Sequence, residues 1–266
     1  MNPEMLCTTA PHPVSFFALL RAETKKSRHG APLRLAVLLA LPFPLLALGI
    51  AMFIPPLGLQ FFPWNYWYTL LFPVALVLLS VVTARLDSRL GHRALLSLGT
   101  PRWRLWLAKH CRCWFLAAVS NLIVFAIYAL GALLVPGESA RILPMLAAAL
   151  AITVLSSWIV PVAIFLTARL GVLAGVFVPL IIQLVLGFAW FAVPFWPLFP
   201  PIATVIVPTS FLPVLPSAEP ASADPALVAS LTGGGQVVLA LVCAIVWSAV
   251  LTVLGLRWFA RSEELR

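Results

Sequence analysis

His110, Cys111 and Cys113 put an imidazole and two thiols side by side, the place in this 266-residue chain that most invites a metal ion. A structural zinc site is commonly closed by two ligand pairs, with thiols spaced C-x₂-C, around a tetrahedral ion. Here one residue separates the thiols and no second pair follows. The trio therefore reads as ordinary side chains where a helix approaches a membrane span. The remaining histidines, His12, His29 and His92, also fall in polar stretches. No long apolar stretch carries Asp or Glu. That removes the acid–base pair of an intramembrane hydrolase and the carboxylates that carry protons or sodium in many transporters. No G-x-x-x-x-G-K-[ST] segment is present, so the usual cradle for a nucleoside triphosphate is missing. The sequence predicts no catalytic residue, cofactor or metal, and an enzyme is not expected.

Six apolar stretches must position whatever chemistry remains: Leu35 to Leu57, Tyr66 to Ala84, Cys113 to Val135, Ile142 to Thr167, Val172 to Val193 and Val237 to Ala260. At 1.5 Å per residue, about 20 apolar residues cross the hydrocarbon core. None of the six contains an acid or a lysine, and Arg257 lies at an edge. Hydrophobic residues make up 62% and charged residues 9% of the chain, against roughly 25% charged in soluble domains. The expected fold is an all-α polytopic membrane protein, one transmembrane domain over residues 1–266 with six transmembrane helices. An interfacial amphipathic helix is expected over residues 14–29, where Val14 to Leu20 is apolar and Arg21 to Lys26 is charged. The polar groups within the stretches are Ser80, Thr83, Ser120, Asn121, Thr153, Ser156, Ser157, Gln183, Ser248 and Thr252. Such residues mostly hydrogen-bond between helices. Pro42, Pro44, Pro73, Pro161 and Pro179 predict kinks.

The net charge of +9 could suggest nucleic acid, but its distribution follows topology instead. Arg21, Lys25, Lys26, Arg28 and Arg34 precede the first span, and seven basic residues from Arg85 to Arg112 lie between the second and third. Arg169, Arg257, Arg261 and Arg266 fall on that same side of a six-span chain, and Arg141 alone falls opposite. Basic residues in short loops are retained in the cytoplasm. Both termini are therefore expected in the cytoplasm, with membrane lipid and no nucleic acid as partner. Cys7, Cys111 and Cys113 then lie on the reducing side and Cys243 inside a span, which is no disulfide framework.

Two connections exceed what a turn needs. In the cytoplasmic segment 85–109, Leu86, Leu90, Ala94 and Leu98 recur at helical spacing beside a stripe of Arg85, Arg89 and Arg93. Gly99 suits a helix stop, and Thr100 with Pro101 suits a new helix start. This predicts an amphipathic helix, a sharp turn and a helix rising into span three, either docking a partner or lying against lipid. The outer segment 194–235 holds nine prolines and ends in Gly233-Gly234-Gly235. Its apolar first half cannot be one continuous helix, because each proline removes a hydrogen bond and clashes with the preceding turn. It reads as an interfacial or re-entrant lid, or as a linker under headgroups.

Taken in order, these features resemble a family. They are the basic amphipathic start Arg21 to Arg28, the aromatic turn Phe62-Pro63-Trp64-Asn65-Tyr66-Trp67, and the basic helix pair containing Leu95-Leu96-Ser97-Leu98-Gly99-Thr100-Pro101-Arg102 and Lys109. Next come the small-residue start Leu170-Gly171-Val172-Leu173-Ala174-Gly175 and the close Phe191-Ala192-Val193-Pro194-Phe195-Trp196-Pro197. Over nearly the whole chain the order is similar to the membrane (permease) subunit of type-2 ABC exporters, within the lantibiotic-immunity permease family. Asp87 stands where such permeases often carry a glutamate. The resemblance implies a multi-pass protein of the bacterial inner (cytoplasmic) membrane that exports an amphipathic, lantibiotic-like peptide for self-protection. It implies a separate ABC ATPase subunit and a second permease subunit, in a homo- or heterodimer. It places ATPase coupling at Asp87, Arg89, Arg93, Leu95 and Arg102. Trp190, Phe195 and Trp196 become the outer substrate-facing candidates. The alternative is a non-transport membrane assembly factor or sensor anchor without an ATPase partner, whose neighbouring reading frames would encode no ATPase.

The charge asymmetry carries a direct prediction. A topology reporter fused after Arg266 should report cytoplasm, and one inserted near Ala221 should report the exterior; reversed signals would exclude cytoplasmic termini, and an odd number of crossings would exclude the six-span arrangement.

Overall fold

The computed structural model describes residues 15–28, 31–53, 62–88, 102–134, 141–233 and 235–261. Among them the chain is all-α apart from one isolated bridge, Val214 with Pro220. The elements are α1 (Phe16–Arg28), α2 (Ala31–Leu38), α3 (Pro42–Phe53), α4 (Phe62–Tyr66), a π-helical turn (Trp67–Leu71) and α5 (Phe72–Ser88). They continue with α6 (Arg102–Leu134), α7 (Ile142–Leu155), a 3₁₀ turn (Ser156–Trp158), α8 (Ile159–Leu170) and α9 (Val172–Phe188). After a buried short helix α10 (Pro200–Ile206) come α11 (Pro225–Thr232) and α12 (Gln236–Arg261).

Among the described residues, five helical stretches are long and apolar enough to cross a membrane: Ala31–Phe53, Pro63–Leu86, Trp103–Leu134, Ile142–Leu170 and Gln236–Phe259. The fifth apolar stretch, expected to run from Val172 to Val193, forms only the 17 residues of α9. At 1.5 Å per residue that is about 25 Å, short of a hydrocarbon core of roughly 30 Å. Proline keeps the helix from resuming after the 3₁₀ turn Trp190–Ala192. Val193 precedes Pro194 and is extended (φ −114°, ψ 103°), the conformation into which a following proline ring pushes its neighbour.

Three of the long stretches are interrupted where the sequence places proline, and each interruption is resolved locally. In the first, Ala40 N–H turns to Val37 O before Pro42, and the Ala36 carbonyl it would have used accepts a bond from Ser120 Oγ at 2.8 Å. In the second, the π-turn precedes Pro73, with Phe72 N–H donating to Trp67 O. In the third, Pro161 supplies no N–H for Ser157 O, and Trp114 Nε1 donates to that carbonyl from α6 at 3.1 Å. Backbone carbonyls freed within hydrocarbon have no water to turn to, so a neighbouring helix must supply the donor.

The longest helix, α6, is the spine of the bundle. Its 33 residues span about 50 Å, and it touches most of the other long elements. Asn121 sits at its middle, accepting from Trp67 Nε1 at 2.9 Å through Oδ1 and donating to Thr153 Oγ1 at 2.9 Å. One amide thus ties three stretches together. Towards one end of α6, Trp106 stacks on Phe259 of α12 (5.1 Å between centroids), with its indole against Gly255. That end carries Arg104, Lys109 and Arg112 of α6, Arg85 of α5, Arg169 of α8 and Arg257 of α12, and is the basic end of the bundle. Towards the other end, Tyr128 stacks on Trp64 at 4.6 Å.

The amphipathic start is helical, and α1 packs onto the basic end of α6 through Leu19 against Leu105 and Ala108. Glu23 is buried there and attracts the Arg112 guanidinium. Phe17 faces outward. Cys113 is buried against Ser80 and Thr83 of α5, and His110 Nδ1 lies 2.8 Å from Trp106 O. Among the described residues no group of three or more His, Cys, Asp or Glu is gathered as metal ligands would be.

Trp114→Phe deletes the donor to Ser157 O while keeping an aromatic ring. Losing this bond to a part-buried carbonyl, to which the Ile159 N–H also points, should lower stability by about 0.5–1.5 kcal/mol, read as an earlier thermal or denaturant transition of the detergent-solubilised chain. An unchanged transition would mean that the Pro161 kink does not depend on α6.

Candidate functional site

Phe188 ends α9, and the chain then turns back into the bundle instead of crossing it. Trp190–Ala192 and Trp196–Leu198 are single 3₁₀ turns separated by Pro194. Phe199 is extended before Pro200, and Pro200 and Pro201 occupy the first positions of α10. Proline is favoured there, because the first N–H groups of a helix have no partner within it. All seven residues of α10 are buried, as are Val207, Pro208 and Thr209 of the next turn.

Contacts fix the direction and depth of this segment. Gln183 Nε2 donates to Pro201 O at 3.0 Å, and one turn further along both helices Gly187 faces Val205. So α10 runs parallel to α9. A Cβ on Gly187 would come within 3.2 Å of Val205 Cγ2, so the absence of a side chain admits this close approach. On the other side, Trp247 Nε1 donates to Leu198 O at 3.1 Å. Trp247 lies eleven residues into α12, about 16 Å along it. The chain therefore dips to mid-helix of α12 and climbs back. Segment 190–210 dips into the bundle and returns on the same side.

Its far side is a cap. Leu215 N–H bonds to Glu219 O at 2.8 Å and Ala221 N–H to Pro213 O at 3.1 Å, folding residues 213–221 into a compact turn. Asn65, buried at the start of the second long stretch, donates to Leu215 O at 3.1 Å and to Pro216 O at 3.5 Å, and also to Tyr68 Oη at 2.8 Å. Asp224 caps α11 by accepting from Leu227 N–H at 2.9 Å. Glu219 and Asp224 are exposed on this cap, opposite the basic end.

The three aromatic candidates of the outer segment separate here. Phe195 is 70% exposed. Trp196 is 4% exposed and packs in a core with Leu155, Ile202, Ile206, Leu231 and Ala244. Trp190 is half-buried against the same core and meets Phe191 edge-on at 6.0 Å. Only Phe195 of the three presents its ring freely, and Trp196 acts as an anchor of the re-entrant turn. At the basic end, Asp87 lies in the last turn of α5 and Arg102 opens α6, while Arg89, Arg93 and Leu95 lie outside the described residues.

The residues that hold the segment were not singled out by sequence reasoning. Gln183 was noted as one polar group among ten, and Asn65 only as part of an aromatic turn. Each is an amide at a point where unpaired backbone must be met. Amides beside proline-rich apolar segments are the signal that could have found them. Residues 190–210 themselves carry no carboxylate, imidazole, amine or thiol. The arrangement offers a proline-broken plug whose carbonyls are held by side chains from the α4, α9 and α12 stretches.

No family model matches the chain, and no curated protein is significantly similar to it.

Replacing Gln183 with Leu removes the donor to Pro201 O at nearly constant volume. We expect about 1–3 kcal/mol of destabilisation and faster cleavage at Glu219 by a glutamate-specific protease in mixed micelles. Cleavage at the wild-type rate would mean that the plug is held without this bond.

Proposed function

We propose that this chain is the permease subunit of a type-2 ABC exporter that removes an amphipathic, lantibiotic-like peptide from the membrane for self-protection. The observation that carries the reading is the re-entrant plug at one end of an apolar helix bundle, in a chain whose sequence has no phosphate loop. A bundle that only anchored or assembled other proteins would not need a buried, proline-broken segment under a folded cap. A path that must open and reclose does need one.

The proposed mechanism assigns the energy to a partner. An ABC ATPase subunit docks on segment 85–109, where Asp87, Arg89, Arg93 and Arg102 supply charge and Leu95 lies within the amphipathic stretch. Arg102 begins α6, so a push on this segment acts on a rigid rod. Displacing α6 loads Trp114 and Ser157, then Asn121 with Trp67, then Tyr128 with Trp64 at the far end. Asn65 follows Trp64 directly and grips the cap. Motion of α6 is thereby delivered to the plug.

Six crossings put both termini in the cytoplasm of a bacterium and the cap outside, with α9 as the short crossing. A second permease subunit, identical or not, completes the path. Phe195, on the exposed rim of the plug, meets the apolar face of the peptide. Trp190 and Trp196 shape the rim from behind.

Purified alone, the chain should neither bind nor hydrolyse ATP. With its ATPase present, alanine at both Asp87 and Arg89 should weaken ATPase capture and peptide resistance without affecting insertion. Exposed ion pairs contribute only about 0–1 kcal/mol each, so the double change is the fair test. Leu95→Pro, which breaks a helix at about 3 kcal/mol, should be more damaging. Full resistance and normal ATPase capture in an inserted Leu95→Pro variant would place the coupling contact elsewhere.

A further inference from the structure

Helix α12 is the least buried of the long helices. Of its apolar window 22% lies inside the bundle, against 61% for Ile142–Leu170. Its inward side is a stripe of small residues, including Ala240, Ala244, Ser248 and Gly255. On the outward side, Ala249, Val250, Val253 and Leu254 line a shallow trough of about 300 Å³ that ends at Arg257. Ala249, Val253 and Arg257 stand four residues apart on one row, with Val250 and Leu254 on the next, as side chains on one helix face do. The trough is therefore about 12 Å long.

Arg257 is exposed, but its place is fixed. Trp258 meets Phe165 edge-on at 5.0 Å and Phe259 stacks on Trp106 at 5.1 Å, so the two residues after Arg257 pin α12 to α8 and α6. The backbone at Arg257 is thus held at the basic end of the bundle, at the end of a span, where phospholipid headgroups lie.

We infer that this trough and Arg257 form a binding site for an anionic phospholipid, one acyl chain lying along Ala249 to Leu254 and the headgroup phosphate on Arg257. The apolar row matches hydrocarbon, and a guanidinium matches phosphate in charge and in its paired N–H donors. A second copy of this chain fits worse. A two-fold contact about an axis along the membrane normal brings the same surface together at the same depth, which sets Arg257 against Arg257. The inference does not rest on the proposed transport role.

The test is native mass spectrometry of the full chain, delipidated in detergent and titrated with phosphatidylglycerol or phosphatidylcholine. A basic residue near an anionic headgroup layer is expected to tighten binding about fivefold. Arg257→Ala should weaken phosphatidylglycerol binding by about that factor and leave phosphatidylcholine unchanged, while Arg257→Lys retains most of the preference. Ala249→Phe fills the trough with the charge intact and should weaken both lipids, so the site is still read if the arginine variant inserts poorly. Arg169→Ala removes an exposed cation at the end of α8, away from the Ala249 to Leu254 row, and should have no effect. Wild-type phosphatidylglycerol affinity in Arg257→Ala would overturn the site. An equal loss in Arg169→Ala would also overturn it, leaving only diffuse attraction to the basic end. Disulfide-linked dimers of Val253→Cys in phosphatidylglycerol vesicles would assign the face to a second copy instead.

Discussion

Every polar group of a backbone inside hydrocarbon must find its partner within the protein. This chain contains 24 prolines, several of them within or beside its apolar stretches, so that constraint governs how the bundle is assembled. A kink frees a carbonyl, and the carbonyl then fixes which helix must stand beside it and which residue that helix must carry. Ser120 serves Ala36, Trp114 serves Ser157, Gln183 serves Pro201 and Trp247 serves Leu198. These bonds do what a generalised apolar force cannot do in lipid, where one helix face is as well solvated by acyl chains as by another helix. They choose neighbours and register.

The same constraint explains why the re-entrant segment is possible. Irregular backbone at membrane depth is tolerated when buried in protein, and residues 200–209 are buried throughout. Gly187 allows the approach, two prolines start the helix without wasted donors, and side chains from both flanks take the exposed carbonyls. The cap is held by another amide, Asn65, which is 150 residues away from its Leu215 partner in sequence. Because Asn65 adjoins the Trp64–Tyr128 stack, the plug is mechanically continuous with α6 and so with the basic end.

What was legible in the sequence follows from this physics. Long apolar runs announce spans, so five of the six stretches emerged as spanning-length helices, and Pro42, Pro73 and Pro161 marked real interruptions. The early end of α9 was less legible. Val193 is as hydrophobic as any span residue, and only Pro194 after it signalled the extended conformation. Phe195 and Trp196 could not be told apart either. They are adjacent, aromatic and similar in hydropathy, yet one faces outward and the other fills a core. In a membrane protein, lipid and core accept the same side chains, so hydropathy does not distinguish the two faces. The hydrogen bonds that would have decided it join residues 18 to 150 apart in sequence. Periodicity within one helix carries no record of them.

The re-entrant segment is most directly tested by thiol accessibility in sealed vesicles. In a background with Cys7, Cys111, Cys113 and Cys243 replaced by Ser or Ala, single cysteines are placed at Ala203, in the middle of α10, and at Ala221, on the cap. A membrane-impermeant maleimide should label Ala221→Cys rapidly from one side and leave Ala203→Cys unlabelled from either side until the chain is denatured. Rapid labelling of Ala203→Cys in the folded chain would contradict a buried plug and, with it, the mechanism built upon it.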